Sequence, residues 1–379
     1  MNGGILTVSH LSVGYGERPA AADVSFSLQR GEILCLVGES GCGKSTLLKA
    51  LLAAPEIRLF SGSINLEGTE LSALSEKDRR RICCERMGIV FQTPEATFNP
   101  IRSYRRQFAE TLKSHGRYDA AAFDKQVEEA FLKVELTDWR RVLAECPYAL
   151  SGGMNQRAAL ALALLLGQEI LLCDEPTSAL DATIQLQVAK ELKRLRDRNR
   201  VTQILVTHNL ALAGFLADRI GVMYAGRLVE LGRSSDILQH PVHPYTRSLI
   251  AAVPGLDGRM PIGLPGSPPM YGPSERGCEF RDRCPLAESG CAHRAYAPER
   301  IEEGHAASCS RGAAGAAPSI PAAGREEGTV GASWKGRGFA GVTGSKAGSS
   351  KHCAGWISAS RTARSSVWPA RAAAARAPF

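Results

Sequence analysis

Residues 38–45 read Gly38-Glu39-Ser40-Gly41-Cys42-Gly43-Lys44-Ser45, which is the pattern G-x-x-x-x-G-K-S. The apolar run Ile33–Val37 before it predicts a strand, and Thr46–Leu51 after it predicts a helix. In such a unit, backbone N–H groups converge at the positive end of the helix, where phosphate oxygens bind. We expect Lys44 to reach the β- and γ-phosphates and the Ser45 hydroxyl to ligate Mg²⁺. The stretch therefore predicts binding of a nucleoside triphosphate.

The net charge of +8 is carried by the end of the chain. Residues 311–379 contain 10 Lys and Arg against 2 Asp and Glu, whereas residues 1–310 contain 36 of each sign. A nucleic-acid binder is expected to carry its basic excess on the folded domain. The charge distribution therefore argues against a nucleic-acid partner.

The chain contains no apolar run of the roughly 18 residues that a membrane span needs. The longest run, Ala158–Leu166, has nine residues, and the first five residues lack the basic-then-apolar pattern of a signal peptide. We therefore expect a soluble cytosolic chain that acts at a membrane only through a partner.

Strand-like and helix-like runs alternate along the first 235 residues, which predicts an α/β fold with a parallel sheet covered on both faces. The predicted strands are Ile33–Val37, Ser63–Leu66, Gly88–Gln92, Ile170–Cys173, Gln203–Thr207 and Ile220–Tyr224, and the helices between the last three are Thr183–Arg198 and Leu210–Ala217. Short β-like segments, with a turn around Gly14-Tyr15-Gly16, precede residue 37, and the charged residues 76–86 are predicted to form a helix. Residues 98–142 have a helical pattern that predicts an insertion in the sheet domain.

The composition changes twice towards the carboxyl end. Proline and glycine become frequent after about Leu231, and beyond about Arg311 the chain is rich in Ala, Gly, Ser and Arg, with little aliphatic content to build a core. We expect an ATPase domain at 1–235 with a helical subdomain at about 93–150, an extension at 236–310, and a disordered tail at 311–379.

Two further motifs follow the phosphate loop. Leu150-Ser151-Gly152-Gly153-Met154-Asn155-Gln156-Arg157 precedes an apolar helix, and the run Ile170–Cys173 leads into Asp174-Glu175-Pro176-Thr177-Ser178-Ala179-Leu180-Asp181. This order resembles the ATP-binding cassette (ABC) ATPases over roughly residues 5–235. The resemblance implies a P-loop core with an antiparallel β subdomain and a helical insertion.

The resemblance implies a role for individual residues. Asp174 would hold Mg²⁺ through its water shell, Glu175 would polarise the attacking water, and His208 would contact the γ-phosphate. Gln92 would be a catalytic residue that also touches Mg²⁺ and the helical insertion. The implied ATP-binding residues are Tyr15, Gly38, Glu39, Ser40, Gly41, Cys42, Gly43, Lys44, Ser45, Thr46, Ser151, Gly152, Gly153 and Asp181, and the implied Mg²⁺ ligands are Ser45, Gln92 and Asp174.

In ABC ATPases the Ser-Gly-Gly loop binds the γ-phosphate held by the opposite subunit. Because this chain has one set of motifs, a competent site needs Lys44 of one cassette and Ser151 of another. Two positions depart from the family pattern: Asn209 stands where many relatives have Asp, and Asn155 stands where relatives often have Arg or another residue. Neither carries the proton chemistry, so we expect activity to survive both.

The extension after the cassette resembles that of ATPase subunits of oligopeptide and dipeptide importers. It begins with His243-Pro244-Tyr245-Thr246 and continues with Gly277-Cys278-Glu279-Phe280-Arg281-Asp282-Arg283-Cys284-Pro285. The four cysteines Cys278, Cys284, Cys291 and Cys309 suggest a metal staple in a region without an apolar core. The resemblance favours a [4Fe–4S] cluster; zinc, with His293 or His305 as a substitute ligand, and four reduced thiols are the alternatives.

The same resemblance implies partners and a location. We expect a second ABC ATPase subunit, identical or not, two transmembrane permeases, and indirectly a substrate-binding protein, at the cytoplasmic face of the cell membrane. The cargo could be dipeptides, longer peptides, nickel or another small solute. A soluble, non-transport ABC ATPase and an ABC exporter are the alternatives from other classes.

Overall fold

The computed structural model describes residues 4–91, 98–177, 182–253, 263–264, 266–269, 273, 277–293 and 296–309, and within α7 the side chains only from residue 185 onwards. In chain order the described strands are β1 (Leu6–Tyr15), β2 (Arg18–Leu28), β3 (Ile33–Val37), β4 (Arg58–Leu66), β5 (Thr69–Glu70), β6 (Met87–Val90), β7 (Ile170–Asp174), β8 (Thr202–Thr207), β9 (Arg219–Tyr224), β10 (Arg227–Arg233), β11 (Glu299–Glu302) and β12 (His305–Ala307). The described α-helices are α1 (Lys44–Leu51), α2 (Glu76–Arg86), α3 (Tyr104–Ser114), α4 (Phe123–Lys133), α5 (Trp139–Ala144), α6 (Gly152–Leu165), α7 (Ala182–Asn199), α8 (Leu210–Leu216), α9 (Ser234–Gln239) and α10 (Pro244–Ala251).

The larger sheet has the strand order β11-β12-β10-β9-β3-β8-β7-β6. Its members β6, β7, β8, β3 and β9 pair in parallel. Every residue of β3 and β8 is buried, as expected for strands covered on both faces. Since parallel strands place their carboxyl ends at one edge, the segments that follow β3, β7 and β8 meet there, which is where such sheets bind ligands.

A second sheet is antiparallel, in the order β2-β1-β4-β5. Inward residues of β1 and β2, such as Leu6, Val8 and Phe26, pack with α1 residues Leu47 and Leu48 in one apolar cluster. The predicted α/β fold with an antiparallel subdomain is therefore confirmed.

The helices between β6 and β7 are held together by aromatic packing. The ring centres of Phe98 and Tyr104 lie 4.8 Å apart, and those of Phe108 and Phe131 lie 5.5 Å apart. These rings are buried, and α4 packs on α6, which begins the return of the chain to β7. The helical insertion expected between the strands is therefore present, with its helices at 104–114, 123–133 and 139–144.

The extension adds strands to the main sheet. In it, β12 pairs antiparallel with β10, with Ala306 opposite Leu231, and β11 pairs with β12. The extension also buries Tyr245 and Phe280, which are 0% and 1% exposed. The expectation that this region lacks an apolar core is therefore wrong, because Tyr245 and Phe280 are buried in the core of the cassette.

The described residues fall in one contact unit, Met1–Gly324. Within the described helices, none is long and apolar enough to span a membrane. The domain limits expected from the sequence remain predictions, and the tail at 311–379 lies outside the described residues.

Candidate nucleotide-binding site

The phosphate loop, residues 38–45, joins the end of β3 to the start of α1. Gly38 has φ of 150°, and a Cβ there would lie 2.1 Å from the Met223 carbonyl oxygen. Gly43 has φ of 98° and stands at the N-cap of α1. Both positions accept only glycine without displacing the backbone, because one is sterically closed and the other is left-handed.

Lys44 is folded back into the loop. Its side chain is buried, and Nζ donates hydrogen bonds to the carbonyl oxygens of Gly38 at 2.9 Å and Glu39 at 2.8 Å. The thiol of Cys42 lies 3.4 Å from the same Nζ, and burial raises the pKa of that thiol. The loop therefore surrounds an ammonium group that can exchange carbonyl partners for phosphate oxygens.

Ser45 and Asp174 meet across the sheet edge. The Ser45 hydroxyl donates to Asp174 Oδ1 at 2.8 Å. Burial raises the pKa of Asp174, since the charged carboxylate loses solvation there. A divalent cation bound here would stabilise the charged form of the Asp174 carboxylate. A hydroxyl beside a carboxylate also matches the oxygen ligands that Mg²⁺ prefers.

Glu175 and His208 form a second pair at the same edge. His208 Nδ1 lies 3.1 Å from Glu175 Oε2. Glu175 has φ of 46°, and its N–H donates to the Val206 carbonyl at 2.9 Å, so the backbone turns directly after β7. A positive φ at a non-glycine residue is a strained conformation of the kind found at functional sites.

The remaining predicted residues lie apart from these pairs or outside the described residues. Ser151 caps α6, and its hydroxyl accepts from the Met154 N–H at 3.4 Å; among the described residues no hydrogen bond joins Ser151 to the phosphate loop. Tyr15 is 46% exposed, and Lys49 Nζ lies 6.0 Å from the centre of its ring. Gln92 and Asp181 lie outside the described residues.

The two asparagines that depart from the family pattern have structural contacts. The Asn209 side chain caps α8 by accepting from the Leu212 N–H at 3.0 Å. Asn155 is 1% exposed, donates to the Pro147 carbonyl at 3.0 Å and accepts from the Tyr104 hydroxyl at 2.6 Å. Neither contact involves the Glu175–His208 pair.

The four extension cysteines line one cavity, together with His243 and Phe280. The Cys278 N–H donates to the Cys291 carbonyl at 2.8 Å, and the Leu286 N–H donates to Cys284 Sγ at 3.4 Å. Burial raises the pKa of Cys278 to about 11 and also raises the pKa of Cys284. Loss of these protons therefore needs a compensating cation.

The fit of this cavity to a metal is partial. The donor type suits iron or zinc, and the N–H···S bond to Cys284 is of the kind that tunes iron–sulfur clusters. Within the described part of the chain, however, no three His, Cys, Asp or Glu side chains are grouped so that they could hold a metal ion. His305, considered as a substitute ligand, is bonded to Glu230 at 2.8 Å.

Sequence reasoning missed two contacts of the phosphate loop. Arg283 forms an ion pair with Glu39, and the Tyr245 hydroxyl accepts from the Glu39 N–H at 2.9 Å. Tyr245 and Arg283 both lie in the motifs by which the extension resembles the importer ATPases. No spacing rule, however, connects residues more than 200 positions apart in the chain.

Comparison with known proteins agrees with this geometry. The sequence profile of the ABC transporter family matches residues 21–178. In fold, the chain is similar to the dimeric structure of a post-hydrolysis state of the ATP-binding cassette MJ0796 bound to ADP and Pi, with a TM-score of 0.53 and 26% identity over 60% of this chain and 98% of that one. It is also similar to cbiO1 from Clostridium perfringens, part of the complex cbiONQ, with a TM-score of 0.57 and 23% identity over 63% of this chain and 92% of that one. The chain is an ABC ATPase.

The extension identifies the branch. The profile described as "Oligopeptide/dipeptide transporter, C-terminal region" matches residues 229–291. The probable peptide ABC transporter ATP-binding protein y4tR of Sinorhizobium fredii is 38% identical over 78% of this chain and 91% of its own length. The dipeptide transport ATP-binding protein DppD of Bacillus subtilis is 36% identical (80% and 94%), and the oligopeptide transport ATP-binding protein OppD of Salmonella typhimurium is 36% identical (78% and 92%). This chain belongs to the ATP-binding proteins of the oligopeptide/dipeptide ABC transporter family.

Proposed function

We propose that the chain is the ATP-hydrolysing subunit of a membrane importer for dipeptides or oligopeptides. The contact of Glu175 with His208, 3.1 Å apart and beside the Ser45–Asp174 pair, carries the proposal for hydrolysis. The names of the relatives DppD and OppD support the peptide cargo.

The residues divide the work of hydrolysis. The phosphate-loop N–H groups and Lys44 bind the phosphate oxygens, and Tyr15 stacks on the adenine. Ser45 and Asp174, with Gln92, hold Mg²⁺, which neutralises phosphate charge when bound. Glu175 accepts a proton from the attacking water, and His208 orients Glu175 and contacts the γ-phosphate.

The site is completed by a second cassette. Ser151 and the N–H groups of Gly152 and Gly153 begin α6, and a helix N-terminus favours an anion. Because Ser151 has no hydrogen bond to its own phosphate loop in the described region, we assign it to the γ-phosphate of the partner. A dimeric arrangement is the one named for the similar cassette MJ0796.

Exposed apolar side chains near the helical insertion suit a membrane partner. Phe91, Ile101 and Tyr148 are 37%, 78% and 75% exposed. Phe91 directly precedes Gln92 in the chain, and Gln92 stands where ABC ATPases have the glutamine that links the nucleotide site to the helical insertion. We assign this surface to the permeases and infer that the chain acts at the cytoplasmic face of the membrane.

Purification from native membranes in mild detergent tests this function. We expect two permeases and a cassette partner to copurify, and ATP hydrolysis to increase when peptide-loaded binding protein is added to the complex in liposomes. Glu175→Gln should retain ATP binding and lose turnover at this site, whereas the exposed control Glu85→Gln should keep both. Uptake of nickel instead of peptide would change the cargo, and recovery with ribosomes or DNA would refute transport.

We also propose that Cys278, Cys284, Cys291 and Cys309 hold a [4Fe–4S] cluster. All four line one cavity, which supports this assignment, while among the described residues no three of them are grouped as the ligands of a bound metal would be. Anaerobic purification should yield iron and labile sulfide with visible absorbance, and Cys284→Ser should remove them. Cys84→Ser, at an exposed cysteine of α2, is the matched control. Stoichiometric zinc would replace the cluster in this proposal, and four metal-free thiols would refute it.

A further inference from the structure

An arginine of the extension reaches into the phosphate loop. Arg283 Nη1 donates to Glu39 Oε2 at 2.7 Å, and Nη2 donates to Glu39 Oε1 at 2.9 Å. The Arg283 side chain is 6% exposed and that of Glu39 is 25% exposed. A two-pronged arginine–carboxylate pair fixes orientation as well as distance, and burial protects this pair from solvent screening.

The arginine is itself held in place. Nη1 of Arg283 also lies 3.2 Å from the Tyr224 hydroxyl, and the guanidinium lies 5.7 Å from the centre of that ring. The neighbouring Tyr245 accepts from the Glu39 N–H, so both the backbone and the side chain of Glu39 are bonded. Phe280 packs against both tyrosine rings, at 5.3 and 5.4 Å.

Arg283 belongs to a turn that lies between two of the cysteines. The 3₁₀ turn Arg281–Arg283 lies directly between Cys278 and Cys284. The Arg283 N–H donates to the Phe280 carbonyl at 3.0 Å, and the Cys284 N–H donates to the Arg281 carbonyl at 3.2 Å. A change in the position of Cys284 therefore moves the backbone that aims Arg283.

We propose that Arg283 is a positioning residue for ATP binding. It holds the phosphate loop through Glu39, and nucleotide affinity therefore depends on the conformation of the turn between Cys278 and Cys284. This inference rests on the proposed role of the phosphate loop. It concerns Arg283 and Glu39 as links between two sites, one for nucleotide and one formed by cysteines.

The physical basis is preorganisation of the loop. Glu39 is the residue between Gly38 and Ser40, and the Glu39 carbonyl is one of the acceptors of Lys44. Without the arginine, this stretch gains conformational freedom that ATP binding must remove again. A coupling between two sites commonly changes affinity by 5–150-fold, and for one ion pair we expect about tenfold.

The test measures the dissociation constant of a fluorescent ATP analogue with Mg²⁺ on the purified full-length chain. Arg283→Met should weaken binding about tenfold at unchanged stoichiometry. Arg281→Met is the matched control, because Arg281 lies in the same turn, is 44% exposed and pairs with the adjacent Asp282. We expect the affinity of that control to stay within about twofold of the wild type.

Three further comparisons separate positioning from general stabilisation. Glu39→Gln combined with Arg283→Met should bind no more weakly than Arg283→Met alone, because both changes remove one interaction. Arg283→Lys should be intermediate, since it retains the charge but loses the fork. Cys284→Ser should weaken binding in the wild type and have no further effect in Arg283→Met.

The outcomes are distinct. Equal affinities of Arg283→Met and Arg281→Met would overturn the inference, as would a lower melting temperature with unchanged affinity in the folded fraction. If Arg283→Met does not fold, the same affinity assay is applied to Arg283→Lys and Tyr245→Phe. The second variant removes the acceptor of the Glu39 N–H. Absence of binding by the wild type would instead refute the proposed nucleotide site.

Discussion

Replacement of Phe280 by alanine tests whether the extension is part of the folded cassette. The ring is 1% exposed and packs against Tyr224 at 5.3 Å, Tyr245 at 5.4 Å and His243 at 6.0 Å. Truncation of a buried phenylalanine costs 3–5 kcal/mol, since it removes apolar contacts and leaves a cavity. Because three rings contact Phe280, we expect the free energy of unfolding to fall by about 4 kcal/mol.

Urea unfolding of the full-length chain, followed by circular dichroism, measures this change. The denaturation midpoint should fall in Phe280→Ala, and Phe280→Leu should recover part of the loss because it fills more of the space. Leu286→Ala is the control in the same segment, since Leu286 is 44% exposed, and it should change stability by less than about 0.5 kcal/mol.

Protease susceptibility provides the second observation. If the extension and the cassette unfold together, cleavage within residues 277–293 should require the same urea concentration as loss of the circular dichroism signal. Release of the extension by Phe280→Ala with an unchanged midpoint for the rest of the chain would refute the reasoning. The extension would then dock as a separate unit.

Three further predictions concern the nucleotide site and stability. Lys44→Ala should weaken ATP-analogue binding by at least about tenfold in equilibrium titration, because it removes the ammonium group at the phosphates. Ser151→Ala should leave binding to the isolated chain unchanged but reduce ATP-driven dimerisation, as measured by light scattering. Hydrogen bonding to Arg86 lowers the pKa of Glu169. The Arg86–Glu169 pair therefore stabilises the fold above the ordinary pKa of Glu169, and this stabilisation is lost as pH falls through the lowered pKa. In thermal melts, the melting temperature of Glu169→Gln should therefore fall less steeply than that of the wild type below about pH 4.3.

Local patterns were enough to predict the central elements of the fold. The predicted strand Ile33–Val37 has the bounds of β3, and the charged segment 76–86 has those of α2. Both are set by short-range features: a continuous apolar run for the strand, and for the helix a Ser75 cap that accepts from the Asp78 N–H at 3.2 Å. The contact of Asp174 with Ser45 of the phosphate loop also follows from the parallel order of strands.

The elements that were missed depend on distant partners. No strand was predicted at Arg227–Arg233 or at His305–Ala307, yet these pair with each other across about 75 residues. A three-residue strand such as β12 has too few residues to show alternation, so its partner defines it. The turn expected around Gly14–Gly16 begins later than predicted, because Gly14 and Tyr15 still pair with β2 after a register shift.

The buried Glu230 explains why the extension and the cassette share one sheet. Its carboxylate accepts from the Val242 and His243 N–H groups at 2.8 and 2.9 Å, and Oε1 lies 2.8 Å from His305 Nε2. A carboxylate that is 1% exposed is strongly destabilising unless such partners compensate for lost hydration. All three partners come from residues beyond the predicted boundary at 235, and β12 covers the edge of β10 that would otherwise be open. The predicted boundary at 235 therefore separates Glu230 from its hydrogen-bond partners in the extension, the same part of the chain that carries Arg283.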